Sequence, residues 1–514
     1  MLMKKAIKLL PCIESFDYFQ TTTNFLPRYF QPLRSISCEH MKAPFKDHEV
    51  FDGHRENPDA RDGPVILPGN TADYLIIGGG IMGQALAYNL WKFIERTSPM
   101  KATKHMSCTI AIVEKEPSLA NSATALSVGG IRSQFSHPSN VKLSMESANF
   151  LRKIKLHLST VRQPNPDVQY NPQGYLMMAT AAGAEQLMKN YNTQIECGAK
   201  IMLFTQQHLK DTFPWMNVEG IELATYGLEN EGWFDPSSLA AAYKHKNLSF
   251  CVNQLKGEVV GFKKEILKDR SDVSLPVTHS NEGRIINVDE RIDGVYLKMP
   301  EHEKPVYIKC HMMFNCAGAE SGQLAQLAGI GTDQSHPILK HKLPVERRKR
   351  YVYVFHCPDG PMFDCPMIID PSGVYVRREG LGGKYICGSS PPEDEEPDTK
   401  DLEVNYDYFY EAIWPKLAYR VPVFEKLKVT SAWAGFYDYN AYDQNAVIGQ
   451  HPYYSNMAFL TGFSGHGIQQ AQAASRALAE QIVNGIKDGE RAELEPFSFM
   501  RIIENRPLLE NEII

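Results

Sequence analysis

Three glycines, Gly78, Gly80 and Gly83, stand at G-x-G-x-x-G spacing in DYLIIGGGIMGQALAYNL, residues 73 to 90. Residues of this type at this interval hold the pyrophosphate of a dinucleotide through backbone alone. Gly78 can make the tight turn, and Gly80 leaves room for backbone to approach the pyrophosphate. Gly83 lets helix and strand pack closely while the helix N-terminus faces the anion. Such a site also needs an acid able to bond a ribose hydroxyl, and TIAIVEKE supplies Glu114 at the end of an apolar run. Glu114 follows Gly78 at more than the roughly 20 residues usual for the motif, so the polar stretch from Arg96 to Ser107 is assigned to a longer loop. A chance glycine turn in an unrelated sheet is the competing reading.

To position these residues the chain needs a strand from Tyr74 to Ile77, a helix opening at Ile81 and a second parallel strand from Thr109 to Val113. Two later segments repeat the theme. HMMFNCAGAES (311 to 321) is an apolar run into a small-residue turn at Ala317, Gly318 and Ala319. MAFLTGFSGHGIQQAQAASRALAEQIVN (457 to 484) runs from a strand through Gly462, Gly465 and Gly467 into an Ala-rich helix. Between them RYVYVFHC (350 to 357), GVYVRREG (373 to 380) and KYICGSS (384 to 390) are short β-rich runs bounded by Pro and Gly, with YNPQGYLMMAT (170 to 180) similar.

The expected fold is therefore α/β. It pairs a Rossmann-like cofactor domain (about 73–165, 230–335 and 430–490) with an inserted α+β substrate domain built on a mainly antiparallel sheet (about 166–229 and 336–429). Residues 491–514 form a C-terminal extension.

At 514 residues and 43% hydrophobic composition the chain has room for two or three domains with real cores. A formal charge of −6 gives no electrostatic argument for nucleic acid. The basic cluster Arg347, Arg348, Lys349 and Arg350 reads as a solvated patch, and the acidic PPEDEEPDTKD (391 to 401) as a solvated loop. Ten cysteines occur without a C-x-x-C pair, which favours a reducing compartment over a zinc site or a disulfide framework. No apolar run reaches the roughly 18 residues of a transmembrane segment. Residues 1–38 are basic overall, with Ser, Thr and large apolar residues interspersed, and read as a mitochondrial presequence, with a disordered tail as the alternative. Residues 39–72 read as a linker.

The blocks IIGGGIMG, IAIVEKE, NSATALSVGGIRSQF, NQLKGEVVGF, FNCAGAES, SAWAGFYDYNAYDQNAVIG and TGFSGHGIQQA carry a family resemblance over about residues 70 to 490. Together they resemble the FAD-dependent amine and D-amino-acid oxidase superfamily, which includes sarcosine, dimethylglycine and glycine oxidases. SVGGIRSQFSHP, NEGWFDP, KLPVERRKRYVYVFHCP and the C-terminal ending most closely resemble a mitochondrial branch implicated in the assembly of respiratory complex I.

The resemblance implies FAD as cofactor, with Gly78, Gly80 and Gly83 at its pyrophosphate and Glu114 at its ribose. Ser122, Thr124 and Ser127 would serve the phosphates and the flavin side of their loop. Val259 would offer backbone to adenine, and Ala317 and Gly318 would border the ribityl chain. Gly462, Gly465, His466 and Gly467 would lie near the isoalloxazine. The histidine that tethers flavin in some dimethylglycine-type relatives matches Ser127, and no Cys lies between Trp433 and Gly449, where sarcosine-oxidase types tether it. The implied FAD is noncovalent. Ala471-Gln472 replaces the family's frequent Ala-Pro, and the block Asp438 to Asp443 is one residue longer than usual.

The implied substrate is a small amine or amino acid that loses hydride from the carbon beside nitrogen. The turn from Gly465 to Gly467 would stabilise charge on the reduced flavin, with His466 either adding to it or only capping the turn. A substrate carboxylate calls for an Arg fork. Period 2 in GVYVRREG puts Tyr375 and Arg377 on one face, so Arg377 is the candidate clamp, with Arg132, Arg378 and Lys349 as competitors and a solvated strand end as the bland alternative.

Three functions remain open: a mitochondrial FAD-dependent amine oxidoreductase, a flavoprotein platform binding complex I subunits or assembly intermediates, and an NAD-linked dehydrogenase. The last fits the glycines but does not predict the GHG block.

Overall fold

The computed structural model describes residues 67, 70–97, 108–266, 290–485 and 493–511. The expected presequence, most of the expected linker and residues 98–107 of the expected loop lie outside the described residues, while Arg96 and Thr97, expected to begin that loop, instead end the helix Ile81–Thr97.

The apolar strand Thr71–Ile77 pairs in parallel with Ile110–Glu114 on one side and Val306–Asn315 on the other. Parallel neighbours need a crossover, and the helix Ile81–Thr97 supplies the first. The sheet extends in parallel to Asn253–Lys256 beyond one flank and to Met457–Thr461 beyond the other, where Val447–Gln450 closes the edge antiparallel. Glu258–Ile266 and Glu290–Lys298 attach to it as an antiparallel pair.

Alternation along the central strands divides the core between the two faces. Ile76, Ile112 and Phe314 pack with the helices Ile81–Thr97 and Gly467–Asn484, while Leu75, Ala111 and Met313 pack on the other side. No helix among the described residues is long and apolar enough to cross a membrane.

A second eight-stranded sheet runs in the order Lys428–Asn440, Val345–His356, Lys384–Ser389, Val374–Glu379, Met367–Ile369, Tyr175–Ala179, Leu223–Gly227, Ile201–Thr205. It is antiparallel except where Met367–Ile369 meets Tyr175–Ala179. Tyr353, Phe355, Tyr385 and Phe424 anchor the core on one face. The boundary expected near residue 430 falls inside the strand Lys428–Asn440, which pairs with Val345–His356 from end to end. That strand carries the chain from the second sheet back to Val447–Gln450 of the first.

The C-terminal segment is fastened by polar contacts. Arg501 and Asp443 form a two-pronged ion pair at 2.7 and 3.0 Å with both side chains buried. Glu510 accepts the Ser136 amide at 2.7 Å and the Ser136 hydroxyl at 2.6 Å, at the start of the helix Pro138–Arg152.

Candidate functional site

A cavity of about 920 Å³ lies at the carboxyl ends of the parallel strands and extends to the second sheet. Its wall brings together residues from distant parts of the chain: Gly78 and Gly80, Glu114, Ser122, Thr124 and Ser127, Val259, Ala317 and Gly318, and Gly465 and Gly467. Gly83, Gly462, His466 and Arg377 lie off the wall.

The glycines divide by what a side chain would meet. A Cβ on Gly83 would sit 1.9 Å from Gly78 O, and one on Gly78 (φ +110°) 2.2 Å from Cys316 O. These two let strand, turn and helix close on one another. A Cβ on Gly80 would meet only Thr124 Oγ1, at 3.1 Å, and those on Gly318 and Gly465 would meet nothing within 4 Å. The last three leave backbone bare toward the cavity, as a cradle for a large flat ligand with a pyrophosphate requires. Gly462 packs instead against Val345 and donates its amide to Asp438.

Polar groups hold the cradle's shape. Glu114 Oε2 accepts the Gly79 amide at 2.8 Å and its Oε1 accepts the Glu116 amide at 2.8 Å, which fixes the carboxylate across the turn. Thr124 Oγ1 accepts the Ile81 amide at 3.0 Å. Ser122 Oγ donates to Leu119 O, and Ser127 Oγ accepts the Gly129 amide. Cys316 is the only cysteine on the wall among the described residues, and burial pushes its thiol far above the usual range, so it is not a thiolate.

The 18-residue helix Gly467–Asn484 opens at the cavity and brings the partial positive charge of its N-terminus there. His466, its N-cap, makes no side-chain capping bond. Its Nε2 lies 3.4 Å from an Arg132 guanidinium nitrogen, and its ring meets Phe135 edge-on. Burial, reinforced by Arg132, pushes His466 down to about 3. The imidazole is therefore neutral at physiological pH, and Arg132 carries the charge at this point. Both roles expected of the His466 side chain, cap and added charge, give way to this pairing. The adjacent loop is held by Glu231, whose buried carboxylate accepts from Ser133 N (2.9 Å), Ser133 Oγ (2.6 Å) and Gln134 Nε2 (2.8 Å).

The second sheet contributes Arg347, Arg350, Val352, Tyr375, Gly435, Tyr437 and Asp438 to the wall. Tyr375 and Arg377 do share the side of the sheet that faces Trp233. The Arg377 guanidinium is nevertheless committed to Val128 O at 2.8 Å, Arg378 O at 2.9 Å and the Glu379 carboxylate. Of the competitors, Arg378 donates to Gln173 Oε1 at 2.7 Å, Lys349 is buried against Asp401 at 2.9 Å, and Arg132 is the neighbour of His466.

Arg350, not singled out by the sequence, is the arginine of the RYVYV run that reaches the wall. Its two terminal nitrogens donate to Glu396 at 2.7 Å each, and one also donates to Tyr437 Oη at 3.0 Å. Burial pushes the Tyr437 phenol up to about 12, against the pull of Arg350. The basic patch and the acidic loop are therefore not separately solvated. Arg348 and Arg350 meet Glu396, and Lys349 meets Asp401. Period 2 could place Arg350 on the face of Val352, but only the pairing of Arg350 with Gly435 reveals that this face meets the cavity.

A family model described as FAD dependent oxidoreductase matches residues 73–481. A Xenopus laevis protein named FAD-dependent oxidoreductase domain-containing protein 1 is 48% identical over 87% of this chain and 86% of its own length. A Drosophila melanogaster protein named as its homolog is 36% identical over 94% and 88%. Among solved structures, L-proline dehydrogenase from P. horikoshii superimposes with a TM-score of 0.66 over 85% of this chain and 99% of that one, at 22% identity.

Proposed function

This chain belongs to the family of FAD-dependent oxidoreductases, and on that premise we propose that it oxidises the C–N bond of a small amine or amino acid of the sarcosine or dimethylglycine type. The observation that carries the reading is the single cavity that runs from the glycine turn at Gly78 to the Gly465 turn and on to the polar face of the second sheet at Arg350, Tyr375 and Tyr437. One wall suits a dinucleotide and the other suits a small polar molecule.

Bound in this cradle, FAD would supply two-electron chemistry, the capacity to accept a hydride from a carbon beside nitrogen. The chain holds it without a covalent bond, through the bare backbone at Gly80, Gly318 and Gly465 and through Glu114. The N-terminus of the helix Gly467–Asn484 offsets negative charge gathering beside it. Arg350 stands on the cavity wall with its two terminal N–H donors turned to an exchangeable side-chain carboxylate, Glu396. That makes it a better clamp than Arg377, which lies off the wall with donors on Val128 O, Arg378 O and Glu379. Tyr437 accepts from Arg350 and keeps its own proton to donate. Positioning an unprotonated amine is then the main task of the site.

The basic character of residues 1–38 supports a mitochondrial location, at the matrix or the matrix face of the inner membrane. The resemblance to a mitochondrial branch supports a role in complex I assembly through its subunits or assembly intermediates. Anaerobic mixing of the FAD-loaded protein with sarcosine, dimethylglycine, pipecolate and D-amino acids tests the enzymatic reading, with bleaching of the flavin band by at least one of them as the expected result. A flavin that none of them reduces, together with loss of assembled complex I on depletion, would favour a platform instead.

A further inference from the structure

We propose that Glu396 is an internal stand-in for a substrate carboxylate: it fills the Arg350 fork at the cavity wall, and the loop at 390–401 that carries it is an acidic lid which an incoming carboxylate displaces. The inference rests on reading the cavity as an amine-oxidising site.

The geometry of the pair is that of a bound ligand. Glu396 Oε2 takes one terminal nitrogen of Arg350 and Oε1 the other, both at 2.7 Å, which is the two-pronged arrangement a free carboxylate makes with arginine. The same guanidinium touches Tyr437 Oη, and Arg350, Tyr437 and Ser390 all belong to the cavity wall. Ser390 is where the loop departs, and its hydroxyl accepts from Arg350 Nε at 3.3 Å. Lid, fork and cavity thus meet at one place.

The ion pairs that tie the loop to the sheet are exchangeable ones. Glu396 also meets Arg348 at 3.2 Å, and Asp401 meets Lys349 at 2.9 Å. Glu393, Asp394, Glu395 and Asp398 are exposed, so the lid brings little apolar burial of its own. A carboxylate that reaches Arg350 replaces one ion pair by an equivalent one, and the freed Glu396 returns to water. The exposed acids also bear on which carboxylates pass. A dianion is repelled at the rim, whereas a monocarboxylate that carries an amine is not.

Apparent affinity for any carboxylate falls by the fraction of molecules in which the fork is free. Removing the competitor therefore tightens binding. With acetate as probe, titrated into the FAD-loaded protein and read by perturbation of the flavin spectrum, Glu396→Gln and Glu396→Ala should each bind about tenfold tighter than wild type. Arg350→Gln should lose binding, and Arg350→Lys should weaken it. Tryptic cleavage after the exposed Lys400 should accelerate in wild type on adding acetate and be fast in Glu396→Gln with or without it.

Unchanged or weaker acetate binding in both Glu396 variants overturns the proposal, because a merely structural Glu396 would support Arg350 rather than compete for it. Absence of acetate binding in wild type and variants alike overturns it too. The two readings fail separately. If no amine reduces the flavin but Glu396→Gln tightens acetate binding, the lid stands and the amine oxidoreductase reading falls. If amines reduce the flavin with the same KM in wild type and Glu396→Gln, the function stands and the lid falls.

Discussion

Asp438 reaches under the third glycine turn, where its Oδ2 accepts the Gly462 amide at 2.7 Å and the Phe463 amide at 3.1 Å. The carboxylate thereby holds the turn that leads to Gly465, and it does so from the far end of a strand of the second sheet. Burial raises its pKa against the downward pull of those amides. Asp438→Ala leaves both amides without this acceptor and should lower stability by about 1–3 kcal/mol. Asp438→Asn, which keeps one acceptor oxygen, should cost less. Urea unfolding of the FAD-loaded proteins measures both, and equal stability of wild type and Asp438→Ala would refute the assigned role.

The first glycine turn separates packing from ligand approach. Gly80→Glu should fold and lose FAD, since its side chain enters the cradle and sets a negative charge where a pyrophosphate approaches. Gly83→Ala, with its Cβ 1.9 Å from a backbone oxygen, should lose on the order of 3 kcal/mol or more and fail before cofactor enters the question. Circular dichroism together with the flavin-to-protein ratio distinguishes the two. Full flavin content in Gly80→Glu would remove that glycine from the phosphate site.

The carboxylate clamp is expected at Arg350, so Arg377→Lys should leave acetate affinity unchanged. It should reduce stability by about 1.5–3 kcal/mol through the weakened contact with Val128 O. A tenfold loss of acetate affinity in Arg377→Lys would return the clamp to that residue.

Noncovalent FAD should leave the protein on acid precipitation and colour the supernatant. Ser127 has no tethering chemistry, and the Cys316 thiol is held protonated by burial. Colour retained in the pellet would show that a tether exists.

Acid sensitivity should have a named source in His451. Its ring is buried, its Nδ1 accepts the Tyr453 and Tyr454 amides at 3.3 and 3.1 Å, and burial with nearby His336 pushes it down to about 3. Between the ordinary value near 6.5 and about 3 the unfolded chain binds a proton that the folded chain refuses. Stability is therefore complete above about 6.5 and falls with pH through that window, at up to about 1.4 kcal/mol per unit. His451→Asn keeps an acceptor for the two amides and should make the decline between pH 6.5 and 4 shallower, leaving the share of His466, which burial also holds at about 3. Parallel slopes in wild type and variant would assign the lability elsewhere.

What could be read in the sequence was what depends on neighbours in the chain. The turn Gly78 to Gly83, Glu114 closing its strand and the Gly465 turn opening a helix are local patterns, and the cavity wall contains them. Arg350 was hidden because its role depends on pairing with Gly435 and on the approach of Glu396 from a distant loop, neither of which leaves a periodic trace. His466 illustrates the same limit. Its type suggested charge, but its protonation is decided by burial, reinforced by Arg132, far away in the chain.

The order of strands in the first sheet also dictates when the protein can form during synthesis. Thr71–Ile77 pairs with Val306–Asn315, which in turn pairs with Met457–Thr461. A ribosome must therefore translate as far as Thr461 before the sheet's apolar strand Val306–Asn315 is covered on both flanks, and Arg501 ties to Asp443 later still. Closure this late leaves a long nascent chain with an open sheet edge, the condition under which chaperones are needed most. A premature stop codon even after residue 440 should accordingly yield an aggregating product rather than a smaller working enzyme.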